Sequence, residues 1–453
     1  MHTGGNSMNK QETLERDTKY VLHGLAPVPV VLTEAHGAIM KDIEGKEYLD
    51  FQGQTSGVVV VGQDHPKFVK GLHEQIDKLI HTQTGFVNIP RVLLAEKLAQ
   101  LAPGKMRNNC KTYFACGGSE ANEIALRFAM LRQKRYEVIS VYGAYHGRTL
   151  ATASLCGQSW RKGGNGTNGE GLIPPYPGFH QIPSPYCYRC YFGQTYPGCH
   201  FECAHSLEHF IQLGAGLDNV AAFIIEPIQG NGGHVHAPSK EYFKIIREIC
   251  DKYGILLIID EVQNGIGRTG TFWASDQFEI EPDILITGKA LGNGIPISAT
   301  MIRGDLVTEQ FSKGEWAIFS LGGGPLLCAA GLITLDIIQE EKLVERAAKL
   351  GKRMMDRLKT MEKKHLLIGE VRGKGVFLAA ELVKDRKTKE PAVEEAQMVA
   401  KKSLDRGLLI NLNYRVGHGN VLKVKPPLTI RDEQLDKGMD ILDEVLTEVE
   451  GGN

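Results

Sequence analysis

Two charged residues stand where solvent has little claim on them. In PDILITGKALGNG an apolar run ends and Lys289 follows inside a Gly-rich turn; in ILLIIDEVQNGIGRTG another apolar run ends in Asp260. The carboxyl ends of strands in a parallel sheet line a ligand crevice, so both side chains are expected to face a site. A desolvated lysine has a lowered pKa, which suits an amine that forms a Schiff base with a carbonyl cofactor. A carboxylate one strand away can keep the proton on a pyridine nitrogen of that cofactor, so that the ring accepts electrons from a carbanion. Taken singly, each residue reads equally well as a turn-capping aspartate or a surface lysine. Together they point to chemistry. FACGGSEANEIALRF adds Gly117, Gly118 and Ser119 between a strand and a helix, where backbone N–H groups can receive a phosphate or an ordinary cap can form.

These residues need elements to hold them. Short β-rich runs (KTYFA, YEVISVY, VAAFIIEP, ILLIIDE, PDILIT, ISATMI) recur through the middle of the chain, several separated by helical patterns such as SEANEIALRFAML and KEYFKIIREICDKY. Continuous apolar runs of this length indicate strands buried on both faces of a mostly parallel sheet, an α/β arrangement with helices on either side. GAIMKDIEGKEYLDF reads as a hairpin around Glu44-Gly45, and residues 66–80 and 91–101 show helical spacing, with Pro90 at a helix start. After a YEVISVY strand comes a Gly/Ser-rich stretch. Beyond Leu326 a long helical stretch rich in Lys and Glu is expected, leading to GVFLAAELV and a second strand-and-helix set. The organisation expected is an N-terminal segment (1–60) packing with a small α+β domain (331–453), and a large domain (61–330) that carries the site and a Cys-rich loop (184–206).

Composition narrows the class. The chain of 453 residues is 42% hydrophobic, enough for substantial cores, and its 52 Lys plus Arg balance 53 Asp plus Glu, so nothing argues for nucleic acid. No apolar run approaches a membrane span, and MHTGGNSMNK lacks the apolar core of a secretory signal; a cytoplasmic protein acting on small molecules is expected. Five of nine cysteines (Cys110, Cys116, Cys156, Cys250, Cys328) lie in apolar or helical segments, as buried reduced thiols do.

GGSEANE, YHGRT, EPIQGNGG, IIDEVQNGIGRTG, TGKALGNG and VRGKG occur in the order of the class III aminotransferases, and the resemblance runs from about residue 20 to the C-terminus. It implies the type I pyridoxal-phosphate fold, pyridoxal 5'-phosphate as cofactor and a homodimer with a shared site. By resemblance, Lys289 carries the cofactor, Asp260 holds its ring nitrogen, Tyr145 stacks on the ring and Val262 packs its other face. Gln263 then lies beside the ring hydroxyl, His146 shapes the pocket or serves as a core histidine, and Glu226 orients the site from its strand end. Ser320 stands where the family usually has a threonine reaching the neighbouring subunit's phosphate. Arg372 resembles the arginine that pairs with a substrate carboxylate, a role suited to a planar guanidinium, and Arg148 looks like a second cation. Gln54, within QGQTSG, is expected to line the substrate pocket.

Two departures from the family pattern bear on function. Relatives that alternate a γ-amino acid with glutamate commonly have a glutamate after EPIQG that neutralises the carboxylate-binding arginine. Here Asn231 occupies that position, so Arg372 is expected to be permanently available, favouring alanine, pyruvate or a short ω-amino acid such as β-alanine, GABA or taurine. The second departure is PYCYRCYFGQTYPGCHFECAHS: Cys187, Cys190, Cys199 and Cys203 read either as a zinc knuckle, with His200 and His205 as substitute ligands, or as reduced thiols in a tyrosine-packed loop. No metal is expected at the reaction site. The expected reaction is ping-pong transfer of an amino group from a short ω- or α-amino acid to pyruvate, glyoxylate or 2-oxoglutarate. A racemase, epimerase or amine phospholyase on the same fold is the alternative, since all would keep Lys289 and Asp260.

Overall fold

The computed structural model describes residues 8–24, 27–157, 176–216, 218–314, 316–413 and 419–452. Most of the Gly/Ser-rich stretch after YEVISVY lies outside them. After a helix, Lys10–Tyr20, come three strands, β1 (Leu32–His36), β2 (Ile39–Asp42) and β3 (Glu47–Asp50), forming an antiparallel meander that contains the hairpin read around Glu44-Gly45.

The central sheet has seven strands: β4 (Cys110–Ala115), β5 (Glu137–Val141), β6 (Phe179–Ile182), β7 (Val220–Ile225), β8 (Leu256–Asp260), β9 (Ile284–Thr287) and β10 (Ser298–Arg303), in the order β4-β10-β9-β8-β7-β5-β6. Every residue of β7, β8 and β9 is buried, as expected for strands covered on both faces. β10 alone runs against its neighbours, pairing antiparallel with both β9 and β4, so the sheet is mostly parallel. The helix Gly118–Gln133 buries Ala121, Ala125, Phe128 and Ala129, whose 3–4-residue spacing puts one small-residue stripe against the sheet. Helix Glu241–Tyr253 covers another part and ends at Gly254, whose φ of +61° suits a residue without Cβ.

The long helical stretch expected beyond Leu326 is two helices, Pro325–Glu340 and Leu343–Lys364. Lys342, at φ 52°, takes the left-handed conformation between them, and Leu343 then turns into the core. Helical propensity on both sides of the break concealed a turn imposed by packing.

β11 (Ile368–Lys374), β12 (Phe377–Asp385), β13 (Glu390–Pro391), β14 (Leu408–Leu409), β15 (Asn411–Asn413) and β16 (Val421–Val424) complete the strands. β11-β12-β16-β15 form an antiparallel sheet, whereas β14 joins the first meander, parallel to β3. Helix Leu343–Lys364 approaches the β11–β12 turn closely: a Cβ on Gly351 would lie 2.3 Å from the backbone of Gly375. Among the described residues no helix is long and apolar enough to cross a membrane.

Candidate active site

β8 and β9 end side by side, which brings Asp260 and Lys289 to one crevice. The lysine turn is held from outside: Asn293 Oδ1 accepts the N–H groups of Val60 (2.8 Å) and Val61 (3.0 Å), and its Nδ2 donates to Gly62 O (2.9 Å). The crevice is a cavity of about 300 Å³, within the range of small-ligand sites. Lys289, Asp260, Glu226, Tyr145, Val262 and Gln263 line it, with Gly117, Gly118, Ser119 and His146; of the residues expected to hold the cofactor, Ser320 does not line it.

The electrostatics separate the roles. Burial pushes Asp260 up, but His146 Nδ1 at 2.9 Å, the Val262 N–H at 3.0 Å and Asn122 Nδ2 at 3.0 Å outweigh it and hold the carboxyl below its usual range. Asp260 therefore stays anionic, as a partner for a protonated ring nitrogen must. Burial lowers the Lys289 amine, and the nearby charges of Asp260 and Glu226 restore only part of the loss. Burial pushes Glu226 up to about 7, while its two oxygens accept the N–H groups of Tyr145 (2.9 Å) and Gly230 (2.8 Å). Glu226 thus fixes the backbone that presents the Tyr145 ring.

The residues fit pyridoxal phosphate. Cys116 and Gly117 donate their N–H groups to Glu120, which leaves those of Gly118 and Ser119 at the helix start for an anion. Gly118 keeps this corner narrow, since a Cβ there would lie 3.0 Å from Val262 Cγ1. His146 Nε2 is buried without a partner among the described residues, on a side chain that lines the cavity.

Other expected residues lie elsewhere. Gln54 is half-buried, with its N–H on Asp50 (2.9 Å), and Asn231 receives Lys423 Nζ at 3.4 Å; neither lines the cavity. Arg148 and Ser320 are exposed. Arg372 corrects an expectation. It is not left without a carboxylate, because Nη1 meets Glu370 at 2.6 Å and Glu381 at 2.7 Å, Nε donates to Gly233 O at 2.7 Å, and Nη2 lies 3.4 Å from the Tyr186 hydroxyl. The position after EPIQG carries no acid, and the neutralising carboxylates come from β11 and β12 instead.

Asn122 was missed, although a polar residue on the small-residue face of its helix was a visible signal. So was Glu261, fully buried beside Asp260, which accepts the N–H groups of Ala274 (2.9 Å) and Ser275 (2.7 Å) and braces the segment after β8. The four loop cysteines are free thiols, and among the described residues no group of three or more His, Cys, Asp and Glu is arranged to hold a metal.

Comparison with known proteins identifies the family. The family model described as aminotransferase class-III matches residues 20–446. The leucine/methionine racemase of Thermococcus litoralis is 38% identical, covering 98% of this chain and 97% of that protein. The 5-aminovalerate aminotransferase of Pseudomonas aeruginosa is 36% identical over 98% of this chain and all of its own length. A solved Bacillus anthracis aminotransferase superposes with a TM-score of 0.89 at 32% identity, covering 98% of this chain and 100% of that one. With its type I fold and a cavity suited to pyridoxal phosphate, the chain belongs to the class III aminotransferases, enzymes that depend on that cofactor.

Proposed function

We propose that the protein transfers an amino group from a short ω- or α-amino acid to a 2-oxo acid by a ping-pong sequence. The observation that carries this reading is the pairing of a depressed Lys289 amine with an Asp260 carboxylate held anionic in one cavity. Bound pyridoxal phosphate supplies the electron sink that acidifies the substrate carbon. Lys289 would hold the cofactor through its amine and, as a neutral amine, would move a proton at the substrate carbon. Asp260 keeps the ring nitrogen protonated, His146 and Asn122 fix the Asp260 carboxyl, and Gly118 and Ser119 bind the phosphate through backbone N–H groups. Tyr145, aligned by Glu226, and Val262 would help to hold the cofactor from the cavity wall. Ser320, exposed on one protomer, fits a role toward a partner's phosphate, which would make the working unit a homodimer.

A second reading is racemisation of an amino acid, favoured by the 38% identity to a leucine/methionine racemase. Both reactions need Lys289; they differ in whether the proton returns to the substrate carbon. The test is a donor screen on cofactor-loaded enzyme, following loss of the cofactor's visible band and its return on adding pyruvate, glyoxylate or 2-oxoglutarate, beside Lys289→Ala. Loss and return support transamination. A lasting band with inversion of a chiral amino acid overturns it for racemisation.

A further inference from the structure

Behind the cavity wall stands a second buried lysine. Lys425 follows β16 and is wholly enclosed. Its backbone is pinned: the N–H donates to Phe51 O at 2.8 Å, and the carbonyl packs so close to Gly53 that a Cβ there would lie 2.7 Å from it. Its Nζ sits 5.0 Å from the centre of the Phe377 ring and 3.5 Å from Gln263 Oε1, and among the described residues it has no carboxylate at ion-pair distance. The charges acting on it are those of Lys423, Arg268 and Lys289, all of its own sign, opposed by Glu226, and His234, stacked on Phe377 at 3.9 Å, lies in the same basic surroundings. Burial and these cations drive the amine well below the usual lysine range. An amine enclosed in this way costs stability, and an apolar side chain of the same shape would serve the core better.

What Lys425 does reach is Gln263, which lines the cavity. The face of that amide lies over Gly230, where an added Cβ would be 2.4 Å from Cδ, 2.5 Å from Oε1 and 2.6 Å from Nε2. The amide therefore cannot shift toward Gly230, but turning end for end would preserve the packing. We infer that Lys425 is a positioning residue: by donating to Gln263 Oε1 it fixes which end of the amide faces the cavity, so that Nε2 is presented to the ring hydroxyl of the cofactor. The other orientation would set a carbonyl oxygen against the ring oxygen. A donor at the ring oxygen stabilises its negative charge, and this loosens the proton on the nitrogen that joins the cofactor to Lys289. Lys425 thus acts on the reacting nitrogen through an amide that it holds from outside the cavity.

The inference rests on the proposed cofactor site, in which Gln263 lies beside the ring hydroxyl, and the test separates the two. Full-length enzyme loaded with pyridoxal phosphate is titrated with pH, following the cofactor's visible band, and Tm is measured on cofactor-free protein. Lys425→Met removes the amine and raises the midpoint of the band by about one pH unit, while Tm stays or rises. Lys425→Gln, whose amide ends one bond short, gives the same rise and serves if Lys425→Met does not fold. Gln263→Leu raises the midpoint at least as far, and Lys425→Met adds nothing in the Gln263→Leu background. An unmoved or lowered midpoint in Lys425→Met, with or without a fall in Tm, overturns the inference. So does an equal rise with and without Gln263, which would show Lys425 acting by charge alone. If Gln263→Leu itself leaves the midpoint in place, the reading of Gln263 beneath the inference is overturned instead.

Discussion

Replacing Asp260 with asparagine changes charge with almost no change of shape. The carboxylate accepts His146 and Asn122 on Oδ2 and the Val262 N–H on Oδ1, all at 2.9–3.0 Å. An asparagine that keeps its oxygen toward His146 and Asn122 must turn its amide donor against the Val262 N–H, so one buried bond is lost in addition to the charge. A hydrogen bond to a charged group is worth about 1.5–3 kcal/mol, and the lost negative charge faces the atom that must stay protonated. About 3 kcal/mol lost from the chemical step lowers kcat roughly a hundredfold. The assay is a single-turnover reaction of cofactor-loaded enzyme with its amino donor, together with steady-state KM and the amount of cofactor retained. The expected result is a large fall in kcat, with the phosphate cradle still holding the cofactor. A kcat within roughly threefold of the parent enzyme, with cofactor bound, refutes the assignment of Asp260 as ring-nitrogen partner.

Lys289 titrates below the ordinary 10.5 because burial penalises its charged form. Only the neutral amine attacks a carbonyl, so capture of pyridoxal phosphate by cofactor-free protein rises with pH to a midpoint under 10.5; Asp260→Asn lowers it further, and a midpoint at or above 10.5 counts against the buried site. Glu261 is raised from 4.5 to about 7 by burial, so the folded state binds its proton more tightly than the unfolded chain does. Its contribution to stability is greatest below pH 4.5 and falls by about 3 kcal/mol as pH rises to about 7. Denaturant unfolding across that window should show this slope, and Glu261→Gln should remove it; an unchanged slope rules out the group. Gly351→Ala drives a methyl into the Gly375 backbone, 2.3 Å away, and should cost about 1–3 kcal/mol by urea unfolding, whereas an unaltered midpoint would mean that the helix and turn separate freely.

The reacting groups were legible because strand ends carry a strong local signal. Asp260 and Lys289 each terminate an apolar run, and the parallel pairing of those runs brings them together without help from distant segments. The same holds for Gly117, Gly118 and Ser119, whose position follows from one strand-to-helix join. What surrounds Arg372 was not legible, because Glu381 and Tyr186 are 195 residues apart in sequence and meet only when β12 packs against the loop. Glu370 shares a face of β11 with Arg372 two residues on, and the pair was not legible because β11 itself was not read as a strand. The helix break at Lys342 was hidden for the opposite reason: its local sequence favours helix, and the demand for a turn comes from Leu343 packing into the core.

The parallel pairing of β14 with β3 has a consequence for synthesis. β3 is made early and pairs with β2 on one side, but its other edge is closed only by Leu408 and Leu409, and Gln52 then donates to Ile410 O across 358 residues of sequence. A ribosome working from the N-terminus therefore releases a strand with one bare row of N–H and C=O groups, which stays open while the seven-stranded sheet is being completed. An unpaired edge is a template for any other extended chain, and contacts this distant in sequence form slowly. The nascent protein thus carries an adhesive edge beside the segment that anchors its lysine turn until Leu408 and Leu409, made after the whole seven-stranded sheet, cover it.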